Sequence, residues 1–132
     1  MTIEQLKNWI KAQDAEFENR IQLGGVEGNA PFFLGVYPSN ITGRQRVAIG
    51  GPACTLYDTM SARLLLRWGK SQPAAEKKAK ALWHLFYART NVDMDGARVF
   101  IFDPGVGPVP IGKGADGVFE YVINLTITYK KE

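Results

Sequence analysis

Two short stretches of this chain carry residue types that elsewhere bind ligands. The first is GPVPIGKGADG, Gly107 to Gly117. From Gly107 to Lys113 it reads G-x-x-x-x-G-K, one residue short of a phosphate-binding loop, because Gly114 stands where a Ser or Thr should hold magnesium. A phosphate loop must leave a strand and enter a helix, so that backbone N–H groups and the helix dipole meet the anion. Here Asp116-Gly117 leads instead into the clearest alternating strand of the sequence. Pro108 and Pro110 also remove two of the N–H groups that would cradle phosphate. The expectation is a strand-to-strand connection whose glycines supply positive φ angles, with no nucleotide.

The second stretch is NVDMDG. Asn91, Asp93, Asp95 and Gly96 match the first half of a calcium loop, but the twelfth position, which needs a bidentate Glu, is Phe102. A turn after the preceding helix accounts for these residues better. Cys54 is the single cysteine, which rules out an internal disulfide and a cysteine-based zinc site; it reads as a small buried hydrophobe. His84 is the single histidine and falls inside a helix, where a structural role is expected. No nucleophile-elbow motif occurs, and nothing pairs any two of the 13 acidic residues. No catalytic residue, cofactor or metal is expected, and the chain does not read as an enzyme.

Arginines are the remaining candidates. Arg44 and Arg46 lie in ITGRQRV, a turn-rich segment after Tyr37. Arginine beside aromatics can bind a phosphate backbone. It is also enriched at protein interfaces, and a net charge of only +3 favours that reading.

These groups must be positioned by one ordinary domain, residues 1–132. A chain of this length buries roughly two thirds of its unfolded surface, enough for a core without staples. Hydrophobic residues make up 45% and charged residues 22%, a globular balance. No apolar run approaches the roughly 20 residues that span a bilayer. The opening MTIEQLKNWIKAQDAEFENR is amphipathic and lacks an apolar signal core, so a cytoplasmic site of synthesis without membrane contact is expected.

The spacing predicts a first helix over Ile3 to Phe17, capped by Thr2 with Gln5 three residues on. RIQLG, FFLGVYP and RQRVAIGG read as short strands, with a turn at Asn40 to Gly43. In TLYDTMSARLLLRW apolar residues dominate the even positions and polar ones the odd, as in a long strand covered on one face. A second helix begins at Ser71 or Gln72 with Pro73 in its first turn. It buries Ala75, Ala79, Leu82 and Phe86, widened by Trp83 and Leu85, and exposes Lys77, Lys78 and Lys80. ARVFIFD and the alternating FEYVINLTITYK complete the strands. Without regular β-α-β alternation the class is α+β, a mostly antiparallel sheet with two main helices packed on it.

This organisation resembles the tail-terminator and minor-capsid proteins of long-tailed bacteriophages, from about Ile3 to Tyr129. The residues that carry the resemblance are ARLLLRWG, then PAAEKKAKALWHLF, then PIGKGADGVFEYVINLTITY, a Pro, an Ile-Gly, an acidic-Gly turn and an aromatic-Glu pair before an alternating strand. Lys113 and Ala115 depart from that pattern at turn positions. The resemblance implies a structural virion protein of the neck, assembled in the bacterial cytoplasm. It would form a ring with copies of itself, commonly a hexamer, ending the tail tube and joining it to the head. The implied partners are the tail-tube protein and the head-completion protein, with DNA passing through the lumen, and no cofactor.

A ring needs heterologous contacts, one patch against a different patch of the neighbour. Edge strands and the loops Gly24–Asn29 and Gly105–Gly117 would supply them, mobile until assembly orders them. Arg44, Arg46, Arg63, Arg67 and Lys113 are the candidate contacts with a subunit, a partner or DNA, with solvated surface charge as the alternative for each. A head-completion or connector protein of the neck is the alternative function, and a small nucleic-acid-binding module a further one.

Overall fold

Thr2 starts the first element. Its hydroxyl accepts from the Gln5 N–H at 3.3 Å, and its own N–H donates to the Gln5 side-chain oxygen at 2.7 Å. That reciprocal cap opens helix α1, Ile3–Gln13. The computed structural model describes residues 2–24, 31–39, 56–94, 96–114 and 116–130. Helix α1 does not reach Phe17. Asp14 turns extended and its carboxylate accepts from the Glu16 N–H at 3.0 Å, so Ala15–Phe17 continue as a single 3-10 turn. Aspartate competes in this way wherever its side chain offers the backbone a local partner.

Seven strands follow among the described residues: β1 Ile21–Leu23, β2 Phe32–Ser39, β3 Tyr57–Trp68, β4 Thr90–Met94, β5 Ala97–Asp103, β6 Val109–Lys113 and β7 Phe119–Lys130. Helix α2, Gln72–Phe86, lies between β3 and β4. All strands join one sheet in the order β1-β2-β3-β7-β5-β4, with β6 also paired to β7. The class is α+β, as expected, and every pair is antiparallel except β1 with β2.

β3 and β7 form the long central pair, from Tyr57 opposite Lys130 to Arg67 opposite Glu120. The other edge of β7 is shared. β5 takes its C-terminal part, with Asp103 opposite Thr126, and β6 takes its N-terminal part, with Val109 opposite Val122.

The alternation works as the sequence suggests. Ala62, Leu64, Leu66 and Trp68 of β3 and Tyr121, Ile123, Leu125 and Ile127 of β7 are buried in one core cluster. The same cluster takes Leu6, Trp9 and Ile10 of α1 and Ala75, Ala79, Leu82 and Phe86 of α2. Both helices therefore cover one face of the sheet, and Arg63, Asn124 and Thr126 are exposed on the other. Trp9, Phe86 and Phe102 meet with ring centres 5.3 to 5.5 Å apart, tying both helices to β5. Such pairs add to area burial through ring-edge contacts.

Three further expectations change, and others fall on residues outside those described. NVDMDG is not a turn after α2, because Thr90–Met94 pair with β5 as a strand. The turn is confined to its end, where Asp93 accepts from the Gly96 N–H at 3.2 Å. The connection Gly105–Gly117 is no open loop, since β7 offers an unpaired edge that recruits β6. Lys78 is not on a solvated face. Its ammonium binds Asp14 at 2.6 Å and Glu16 at 3.3 Å, and its side chain is only 10% exposed. Finally, the strand expected in RQRVAIGG, the turn at Asn40 to Gly43, Cys54 and residues 25–30 lie outside the described residues.

Candidate assembly interface

The stretch that began as a failed phosphate loop is a β-hairpin. β6 pairs with β7 through Lys113 opposite Phe119 and Val109 opposite Val122, with a bulge between Pro110 and Gly112. The turn closes by the Gly114 N–H donating to the Val118 carbonyl at 2.9 Å and the Gly117 N–H to the Gly114 carbonyl at 2.9 Å. Positive φ at Gly105, Gly107, Gly112 and Gly117 is what those glycines supply. Gly114 is needed for a different reason: a Cβ there would stand 2.9 Å from an Asp116 oxygen.

That close approach exists because Asp116 is held from behind. Arg67 points from β3 toward the turn, its Nη2 paired with Asp116 Oδ2 and its Nε 3.2 Å from Glu120 Oε1. Arg67 is the one charged residue among those described that is buried, at 7% exposure. A buried guanidinium is stable only with partnered charge, and two carboxylates supply it. The hydrogen bond from Arg67 holds the Asp116 carboxyl below its ordinary value, helped by the Val118 N–H. The backbone adds one more tie between β3 and the hairpin, Phe119 N–H to the Gly69 carbonyl at 3.0 Å.

Outside this clamp the hairpin is apolar and exposed. Every side chain of β6 is exposed, including Val109 at 46% and Ile111 at 56%. Val106, between Gly105 and Gly107, is fully exposed. Trp83 links this region to α2 by donating its indole N–H to the Pro104 carbonyl at 3.2 Å. It stacks on Tyr87, ring centres 4.7 Å apart, with His84 beside both. Tyr87 is itself exposed. Trp and Tyr are among the residue types enriched in the anchors of protein interfaces.

The five expected contact residues fall in three places. Arg44 and Arg46 lie outside the described residues. Arg63 and Lys113 are exposed; Arg63 donates to the Asn124 side chain opposite it at 3.3 Å. Lys113 lies beside the turn, where a Cβ on Gly117 would meet its Cε at 3.6 Å and Lys70 Cε at 3.8 Å. Arg67 is the correction. It sits on the polar phase of β3, as the alternation indicates, but Asp116 and Glu120 draw it inward against its own chain. The exposed row on the hairpin and the Trp83–Tyr87 stack were missed. The W-H-x-x-Y spacing at the end of a helix was the available signal for the stack.

Among the described residues no three of His, Cys, Asp and Glu come together as a metal site. None of their helices is long and apolar enough to cross a membrane. No family model matches the chain, and no curated protein matches it. A solved structure aligns with 98% of this chain and 89% of its own at 16% identity, with a TM-score of 0.45, a likeness too slight to carry an argument.

Proposed function

We propose that the chain is a structural assembly protein of the phage neck, a tail terminator that closes into a ring at the end of the tail tube. The observation that carries this reading is the apolar hairpin surface. Val106, Val109 and Ile111 are all exposed on an element braced by an internal ion cluster. A patch of apolar side chains is unfavourable in water, and burying it against a complementary surface lowers the free energy. Placed on one side of a subunit, it meets a different surface of the next, the heterologous contact that closes rings. The resemblance of ARLLLRWG, PAAEKKAKALWHLF and PIGKGADGVFEYVINLTITY to tail terminators supplies the identity of that ring. The tail-tube and head-completion proteins are the proposed partners, and the virion neck is the proposed location.

The test is solution mass by light scattering across a concentration series, with negative-stain imaging and docking onto isolated tails. Rings of about six subunits, or docking that caps tails, are expected. A monomer at every concentration that also leaves tails uncapped removes the reading. Docking onto filled heads instead reassigns the chain to head completion.

A further inference from the structure

We infer that Arg67 is a latch that orders the β6 arm: its hold on Asp116 and Glu120 keeps the exposed hairpin in place. β6 has almost nothing else to hold it. None of its five residues is buried, so area burial does not anchor it. Its ladder reaches only Phe119 to Val122 of β7 and is interrupted by the bulge at Pro110 and Gly112. Pro110 has no N–H to donate. Its outer edge is the kind that frays, and local opening is governed by such thin attachment.

The ties lie at the turn. Arg67, 49 residues from Asp116 in sequence, joins the central strand β3 to the tip. Glu120, opposite Arg67 on β7 and opposite Gly112 on β6, places the second carboxylate at the base of the arm. Val118 is buried beside them. Removing the guanidinium leaves the short interrupted ladder, the turn hydrogen bonds, Val118 and the Phe119–Gly69 hydrogen bond as the remaining anchors. It also frees two carboxylates to repel each other. The arm then opens while the β2–β3 ladder, on the far side of β3, is untouched. That the arm serves assembly rests on the reading above; that Arg67 orders it does not.

Amide hydrogen exchange on the full chain tests this, comparing the wild type with Arg67→Met and Asp116→Asn. Met keeps the length of the buried stem without the charge. Asp116→Asn loosens the tip while leaving Glu120 on Arg67, so it serves where Arg67→Met does not fold. In each variant the Gly114 and Gly117 amides should exchange on the order of tenfold to a hundredfold faster, with amides of the β2–β3 ladder unchanged. Unchanged hairpin protection in the folded variants overturns the latch. So does equal acceleration of hairpin and β2–β3 amides, which reports only a global loss of stability. A wild type that neither forms a ring nor caps tails, with variants that show the selective acceleration, defeats the assembly reading and leaves the latch standing.

Discussion

Lys78 of α2 binds the Asp14 carboxylate at 2.6 Å while its ammonium stands 4.6 Å from the ring centre of Phe17 and 4.9 Å from that of Trp68. The junction after α1 is thus fastened to α2 and to the end of β3 through one cation. Phe17 and Trp68 meet edge to face at 5.6 Å beneath it. A lysine in a run of lysines performs a core function here because two acids and two rings surround it.

Cutting that fastening should be costly. Lys78→Ala leaves the half-buried Asp14 carboxylate without its cation and strips the cation from both rings. A loss of about 2 kcal/mol is expected, less than for a fully buried pair because Asp14 and Glu16 keep solvent contact. Lys77→Ala, on the exposed side of the same helix, should change stability by less than about 0.5 kcal/mol. Urea midpoints of the two variants decide it. Equal, small shifts would mean that Lys78 is solvated after all.

Acid sensitivity should follow from two carboxyls. Burial alone would raise that of Asp14, but the hydrogen bonds from Lys78 and the Glu16 N–H outweigh it, and the net shift is downward from 3.8. Asp116 is lowered from the same value, chiefly by the hydrogen bond from Arg67. With both depressed in the folded chain, the unfolded chain binds protons first as pH falls. Their contribution is therefore complete above about pH 5, declines below the ordinary carboxylate value, and is gone once the folded carboxyls protonate. An Asp14→Asn/Asp116→Asn variant should be less stable than wild type at pH 7, and the gap should close toward pH 2. A gap independent of pH would separate these carboxyls from the acid response.

The backbone after α2 offers a gain. Ala88 has φ +56°, in the left-handed region where a Cβ is strained. Ala88→Gly relieves that contact, and a stabilisation of about 0.5 to 1 kcal/mol is expected after the entropy that glycine adds to the unfolded chain. Thermal unfolding reads it directly, and a lower melting temperature would contradict it.

Much of this architecture was legible from local pattern. The capping box at Thr2 and Gln5, the buried stripe of α2 and the alternation of β3 and β7 are all consequences of period and chemistry within one element. What was not legible depends on contacts between distant elements. β6 consists of VPIGK, a poor strand by propensity, and becomes one because β5 leaves half an edge of β7 unpaired. β1 runs parallel to β2, a pairing that three residues of IQL cannot announce. Arg67 reads as an outward charge until Asp116 and Glu120 are brought beside it by the hairpin turn. The segment Gly105–Gly117 stood out in the sequence by its glycines and prolines, but the ion pairs that tie Arg67 to Asp116 and Glu120 of its own chain did not.

The apolar hairpin surface makes the last prediction. Ile111 and Val106 are exposed, at 56% and 103%. Replacing both with aspartate should leave the melting temperature within a degree or two, since surface changes of this kind move stability by about 0.5 kcal/mol or less. Self-association should fall at least tenfold, because a charge then has to be desolvated in each contact. Lys77→Glu, on the exposed face of α2, is the matched control for the change of two charges. If the hairpin variant loses association and the Lys77 variant keeps it, the contact runs through β6. If both associate like wild type, the ring closes through another surface and the hairpin faces solvent in the assembly.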